Sequence, residues 1–185
     1  MTEGKKYSED TVAVWKLPLA DGVHEIEFEH GTATGRRVVR LDGNIVRQKE
    51  WMFRLVGDEV FDIENVQCTI KVEPDGLFMY TYDLLVDGKS LEDFRAHFSK
   101  THSTWLFTTS NGVENRIILD KATMDIFVNG FQISDAMSEF IENGTETHFV
   151  IGNEILATIR TEHSGDKKTG VVHNLFINGS LVPEL

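Results

Sequence analysis

Cysteine occurs once in the 185 residues, as Cys68. One thiol excludes an internal disulfide framework and any four-cysteine zinc site. Proline is also scarce, with only Pro18, Pro74 and Pro183. Most of the chain is therefore free to form unbroken strands. Basic residues are outnumbered, with Lys plus Arg at 18 and Asp plus Glu at 30, a net charge of −12. The deficit is not confined to a tail. Residues 1–95 carry 12 basic and 19 acidic groups, and residues 96–185 carry 6 and 11. Neither half offers the concentrated cations that nucleic-acid phosphates need, so no nucleic-acid partner is expected. Anionic membranes are disfavoured for the same reason. Long apolar runs are missing too: Ile117-Ile118-Leu119 is among the longest. No stretch approaches the roughly 20 apolar residues that span a bilayer. The first ten residues are polar and lack the apolar core of a secretory signal. These absences predict a soluble protein of the reducing cytoplasm.

What the sequence does have is turn chemistry. Eight Asx-Gly pairs punctuate it, from Asp21-Gly22 to Asn178-Gly179. Asx and Gly tolerate the positive φ that tight hairpins require. Between the pairs, apolar residues alternate. Ile26 and Phe28 share one side of a strand, with Glu25, Glu27 and Glu29 on the other. Period two with flanking turns predicts antiparallel strands with one wet face. Helix signals are few. The one candidate is Leu91–Phe98, with Ser90 placed to cap it and Asp93 near the first turn; a loop fits so short a segment equally well.

The halves resemble each other at offsets near ninety residues. Trp15 precedes Gly22-Val23 by seven residues, and Trp105 precedes Gly112-Val113 by seven. Val39-Arg40-Leu41-Asp42-Gly43 parallels Ile126-Phe127-Val128-Asn129-Gly130. The expected fold is all-β. Two tandem, similar antiparallel β-sandwich-like lobes are joined by short hairpin turns, with little helix. The expected division is a disordered tail at 1–10, a first lobe at 11–90, a linker holding the helix candidate at 91–102, and a second lobe at 103–185.

Longer motifs point to a family. Glu50-Trp51-Met52-Phe53-Arg54-Leu55-Val56-Gly57 resembles a signature of the Fas apoptotic inhibitory molecule family, as does the run from Asp21 to Thr32. Val86-Asp87-Gly88-Lys89-Ser90-Leu91 and Gly144-Thr145-Glu146-Thr147-His148-Phe149 match as well. The resemblance runs from about Val12 to Glu184. It implies a cytosolic all-β protein that opposes death-receptor killing, supports survival signalling and protects against stress-induced aggregation. It implies protein partners, namely survival-signalling components or misfolded clients, and no catalytic activity.

The residues themselves carry little catalytic chemistry. No Gly-x-Ser-x-Gly elbow or phosphate-binding glycine loop is present. Seven histidines are scattered, and His24 and His30 lie six apart on one strand, too far to share an ion. No metal or cofactor is expected. Alternation places Cys68 with Val66, Ile70 and Val72, as a buried thiol. The polar run Glu162–Gly170 reads as a mobile hairpin tip.

One electrostatic feature stands out. Arg36, Arg37, Arg40, Arg47, Lys49 and Arg54 cluster against only Asp42 and Glu50. The ordinary reading is a hairpin in which Arg36 and Arg40 meet the glutamates of the neighbouring strand. The functional reading is a partner-binding patch of Arg36, Arg37, Arg40, Trp51, Phe53 and Arg54 that docks an acidic segment. Trp51 and Phe53 share a strand face, and such aromatics are more often core than interface. An alternative function is a β-barrel or sandwich carrier of a small apolar ligand, lined by some of the twelve phenylalanines. A third is an enzyme on a jelly-roll scaffold, which needs paired carboxylates or histidines at a cleft floor.

Overall fold

The structure is a computed structural model describing residues 7–77, 79–152, 154–166 and 169–185. Most of the tail expected to be disordered, and Lys167 and Lys168 of the expected mobile tip, fall outside these residues. The chain divides into two compact units. Met1–Leu19 with Val23–His97 form the first, and Ala20–Gly22 with Phe98–Leu185 form the second.

The first unit holds two four-stranded antiparallel meanders. One contains β1 (Thr11–Pro18), β2 (Val23–Gly31), β3 (Arg36–Leu41) and β4 (Asn44–Lys49). The other contains β5 (Gly57–Ile63), β6 (Val66–Asp75), β7 (Met79–Val86) and β8 (Lys89–Ser90). The inward positions of both sheets meet in one core. Leu17, Ile26, Phe28 and Val39 come from the first sheet, and Phe61, Cys68, Ile70, Val72 and Leu84 from the second. Two open sheets sharing an interior make a sandwich-like unit. Among the described residues each sheet runs in simple order and none closes on itself, so the barrel expected of a ligand carrier does not form there.

Helix α1 (Leu91–Thr101) follows β8. The Asp93 N–H donates to Ser90 Oγ (3.1 Å), and the Ser90 hydroxyl donates to Asp93 Oδ2 (2.7 Å). The cap satisfies the Asp93 N–H, one of the first-turn donors that lack a partner within the helix, and the return bond from the hydroxyl fixes the Ser90 side chain. Leu91 and Phe94 pack on the first core.

The second unit repeats the arrangement with one more strand. Its first sheet has β9 (His102–Thr108), β10 (Glu114–Asp120), β11 (Ile126–Val128) and β12 (Phe131–Gln132). Its second has β13 (Met137–Ile141), β14 (Gly144–Ile151), β15 (Ile155–His163), β16 (Val171–Ile177) and β17 (Ser180–Val182). Trp105, Ile117, Leu119, Phe149, Ile159 and Leu175 centre its core.

One turn device recurs in all four sheets. Asp42, Asp87, Asn129 and Asn178 have positive φ, and each precedes a positive-φ glycine. Two such residues in succession give the primed turn that matches strand twist. Each Asx also reaches past its own hairpin. The Asp42, Asp87, Asn129 and Asn178 N–H groups donate to the carbonyls of Glu25, Gln67, Arg116 and Leu156 (2.8–2.9 Å). In three of the four, the side chain accepts the return bond: Glu25, Gln67 and Arg116 N–H groups donate to Asp42, Asp87 and Asn129. Each turn thus clamps a third strand.

The expectation of one wet face fails on β2. Glu27 and Glu29 are buried along with Ile26 and Phe28. Alternation places these carboxylates opposite the core, but at Glu29 the long side chains of Arg36 and Arg40 lie across the carboxylate and exclude water.

Candidate functional site

The basic cluster of the sequence resolves into three environments. Register puts Arg36 opposite Gly31, Arg37 opposite His30 and Arg40 opposite Glu27. Alternation then sends Arg36 and Arg40 to one face and Arg37 to the other.

Arg36 and Arg40 both donate to Glu29. Arg36 Nη1 lies 2.6 Å from Oε2, and Arg40 Nη1 takes Oε1. Arg36 also faces Glu50 (3.5 Å) and Asp10 (3.8 Å). Burial raises the Glu29 pKa, but the bonds and charges of Arg40 and Arg36 outweigh it, leaving the carboxyl below its usual range. Two cations are thus committed to one anion within the sheet, the hairpin reading of the sequence.

Arg37 points into the sandwich. Its guanidinium donates to Glu59 Oε1 (2.9 Å) and to the Gly57 carbonyl (3.2 Å). Lys49 Nζ completes the carboxylate's shell at 2.8 Å from Glu59 Oε2. With its side chain 1% exposed, Arg37 cannot touch a partner. Placing it on a surface patch is corrected here: neighbouring residues on a strand face opposite ways. Beside it, His30 Nδ1 meets the Tyr82 hydroxyl at 2.9 Å, with rings of Phe28, Tyr80 and Tyr82 around it. Burial, helped by the Arg37 charge, pushes the His30 pKa down.

Trp51 and Phe53 are the surface feature. They lie in the loop between β4 and β5, not on a strand, and are 61% and 95% exposed. The core placement expected for them is therefore overturned. The loop is anchored: the Met52 N–H donates to the Thr34 carbonyl (3.2 Å). Gly35, at φ +71°, permits this approach, because a Cβ there would lie 2.3 Å from Met52 O. Held by Met52 between them, the two aromatic rings meet edge to face at 6.3 Å. Arg54 is exposed at the end of this cluster, and Arg47 reaches the Val60 carbonyl from the strand before it. The site sequence reasoning joined thus keeps Trp51, Phe53 and Arg54 outward, Arg36 and Arg40 beneath ion pairs, and Arg37 inside.

Histidine and thiol chemistry lies elsewhere. Cys68 is fully buried, and desolvation, followed by the Asp87 and Asp62 charges, pushes its pKa up to about 12. His24 pairs with Asp42 at 2.7 Å. Among the described residues, Glu139, Glu146 and His148 bring ligand atoms within 4.8 Å of one another. Sequence spacing missed this trio because Glu139 sits on β13 and the others on β14. Its carboxylate at Glu146 already binds Arg160 at 2.5 and 2.7 Å, and His148 Nδ1 is bonded to Thr158 (2.9 Å). The arrangement is a hydrogen-bonded polar network on a sheet face, with Glu146 already paired to Arg160.

Comparison with known proteins gives this architecture a lineage. The family profile described as Fas apoptotic inhibitory molecule matches residues 11–185. The chain belongs to the Fas apoptotic inhibitory molecule family. The mouse and human proteins named Fas apoptotic inhibitory molecule 1 are each 44% identical over 178 residues, covering 95% of this chain and 98% of theirs. The bovine protein of that name is 43% identical, covering 95% and 87%. The Fas apoptotic inhibitory molecule motifs noted in the sequence occupy distinct places. Asp21–Thr32 contains β2, Glu50–Gly57 is the aromatic loop, Val86–Leu91 is the clamped turn leading to α1, and Gly144–Phe149 lies in β14. Among the described residues, no helix is long and apolar enough to cross a membrane.

Proposed function

We propose that this chain is a cytoplasmic anti-apoptotic protein that works by holding another protein rather than by turning over a substrate. Its relatives carry the name of an inhibitor of Fas-driven apoptosis. The carrying observation is the Trp51–Phe53 pair, exposed yet fixed on the β2–β3 turn by Met52 and Gly35. Rigid exposed aromatics lose little entropy on binding and are typical contact hot spots. Arg54, exposed at the end of the loop, adds a cation suited to an acidic segment, while Arg36 and Arg40 on β3 stay committed to Glu29. Arg37 contributes from inside, by tying β3 to β5 beneath the loop. The same open sheets, with strand edges able to pair with other strands, support a second duty of restraining aggregating clients. The two units are read as copies of one ancestral unit, supported by the matching Trp15 and Trp105 and by the recurrent turn clamp.

The test is rescue of Fas-ligand sensitivity in cells lacking the endogenous protein. Wild type restores survival, whereas Trp51→Ser with Phe53→Ser does not at equal abundance. Equal protection by the variant overturns the assignment of this loop.

A further inference from the structure

β1 and β9 are each the first strand of a sheet, and each sets a tryptophan opposite an isoleucine: Trp15 to Ile26 and Trp105 to Ile117. Their outer edges are treated differently. After β17 the chain runs back along β9. Glu184 bridges Trp105, and the Leu185 N–H donates to the Thr104 carbonyl (2.9 Å). Under this cover Trp105 is 1% exposed.

On β1, among the described residues, no strand takes that place. The outward carbonyl of Lys16 accepts the Arg95 guanidinium from α1 instead. Val14, two residues earlier, turns its carbonyl to the same side and stands where Thr104 stands on β9. Trp15 remains half-buried. Beside it opens a cavity of about 450 Å³. Trp15, Leu84 and Leu91 give it apolar surface, while Glu73, Asp83 and Glu92 give it negative charge. Among the described residues Lys71 is the one base in the lining, and it stands opposite Asp83 in register. Three acids against one base leave the cavity net negative. An aromatic face beside carboxylates is a setting that favours a guanidinium or ammonium group. The Arg95 contact shows that this edge already accepts one.

We propose that the β1 edge binds an extended, arginine- or lysine-bearing segment of another protein. The segment adds as a strand at Val14 and Trp15, in the place the C-terminal residues fill on β9, and leaves the Lys16 carbonyl to Arg95. One of its cationic side chains lies over Trp15 among Glu73, Asp83 and Glu92. Backbone pairing supplies affinity, and the acidic cavity selects the side chain. This surface is separate from the aromatic loop, so each can fail without the other.

The test uses the full chain and a fluorescein-labelled octapeptide of alternating arginine and valine, with the glutamate–valine counterpart as control. The basic peptide is expected to raise anisotropy saturably, and the acidic one is not. Glu73→Lys with Glu92→Lys is expected to weaken binding at least about tenfold. Both side chains are exposed, so the melting temperature is expected to hold. In ¹⁵N-resolved NMR spectra the peptide is expected to shift the Val14–Lys16 amides and the Trp15 indole signal. Absence of saturable binding, unchanged affinity in the double variant, or shifts confined to other strands would overturn the proposal.

Discussion

The Arg37 guanidinium and the Glu59 carboxylate meet at 2.9 Å between the two sheets of the first unit, with both side chains almost wholly buried. Arg37 comes from β3 and Glu59 from β5, so this contact ties one meander to the other. Removing one partner strands the other charge in a site it cannot leave. Glu59→Ala is expected to cost about 3–5 kcal/mol, whereas replacing both with apolar residues of similar size recovers most of that. Urea denaturation of the two variants measures the difference. Equal losses would mean that the charge pair does not hold the sheets.

The aromatic loop behaves oppositely. Trp51 and Phe53 touch water over most of their surface. Changing both to Ser is expected to alter stability by no more than about 0.5 kcal/mol. A thermal melt beside the survival assay separates loss of contact from loss of fold.

Gly35→Ala is expected to disturb that loop without touching either aromatic. The new Cβ would run into the Met52 carbonyl, at a φ that disfavours side chains. The expected penalty is more than about 1 kcal/mol. Trp51 fluorescence is expected to shift as the loop leaves its anchor. An unchanged spectrum would show that the loop is positioned by other contacts.

Acid should weaken the protein in two stages. Burial pushes the pKa of His30 and His173 below the ordinary 6.5, with the Arg37 and Lys121 charges adding to the respective effects. For a group with a lowered folded-state pKa, the unfolded chain binds the proton first. The stability these residues protect is complete above about pH 6.5 and drains as pH falls below it. Glu29 follows the same sign lower down: its contribution is present above its ordinary 4.5 and is lost as pH drops through the lowered value. Melting temperatures from about pH 7.5 down to about pH 2 trace both stages. His30→Phe is expected to flatten the upper stage, and an unaltered profile would remove His30 from it.

Cys68 is expected to be inert while folded. A thiol with a pKa near 12 holds almost no thiolate at neutral pH. Ellman's reagent should react only as fast as the first unit opens, and quickly in urea. Rapid reaction of the native protein would contradict the burial.

The sequence was informative where short-range chemistry decides the outcome. Asp42-Gly43, Asp87-Gly88, Asn129-Gly130 and Asn178-Gly179 form the hairpin turns their composition demands. Ser90 and Asp93 cap α1 as their spacing predicts. It was misleading where a neighbour in space decides. Glu29 looks solvated until Arg36 and Arg40 fold over it. Trp51 and Phe53, two apart, imitate a strand, but Met52 binds the β2–β3 turn and draws the segment out as a loop. The cavity at Trp15 had no local signal, since Glu73, Leu84 and Glu92 reach it from β6, β7 and α1.

The clamping turns bear on how the molecule is made. Each links residues at most 22 positions apart, as from Leu156 to Asn178. A ribosome releasing the chain therefore delivers both halves of every latch within moments of each other. One ribbon can set before the next is synthesised. Nascent edges spend little time bare in the crowded cell, a useful property in a polypeptide built mainly from sticky extended segments.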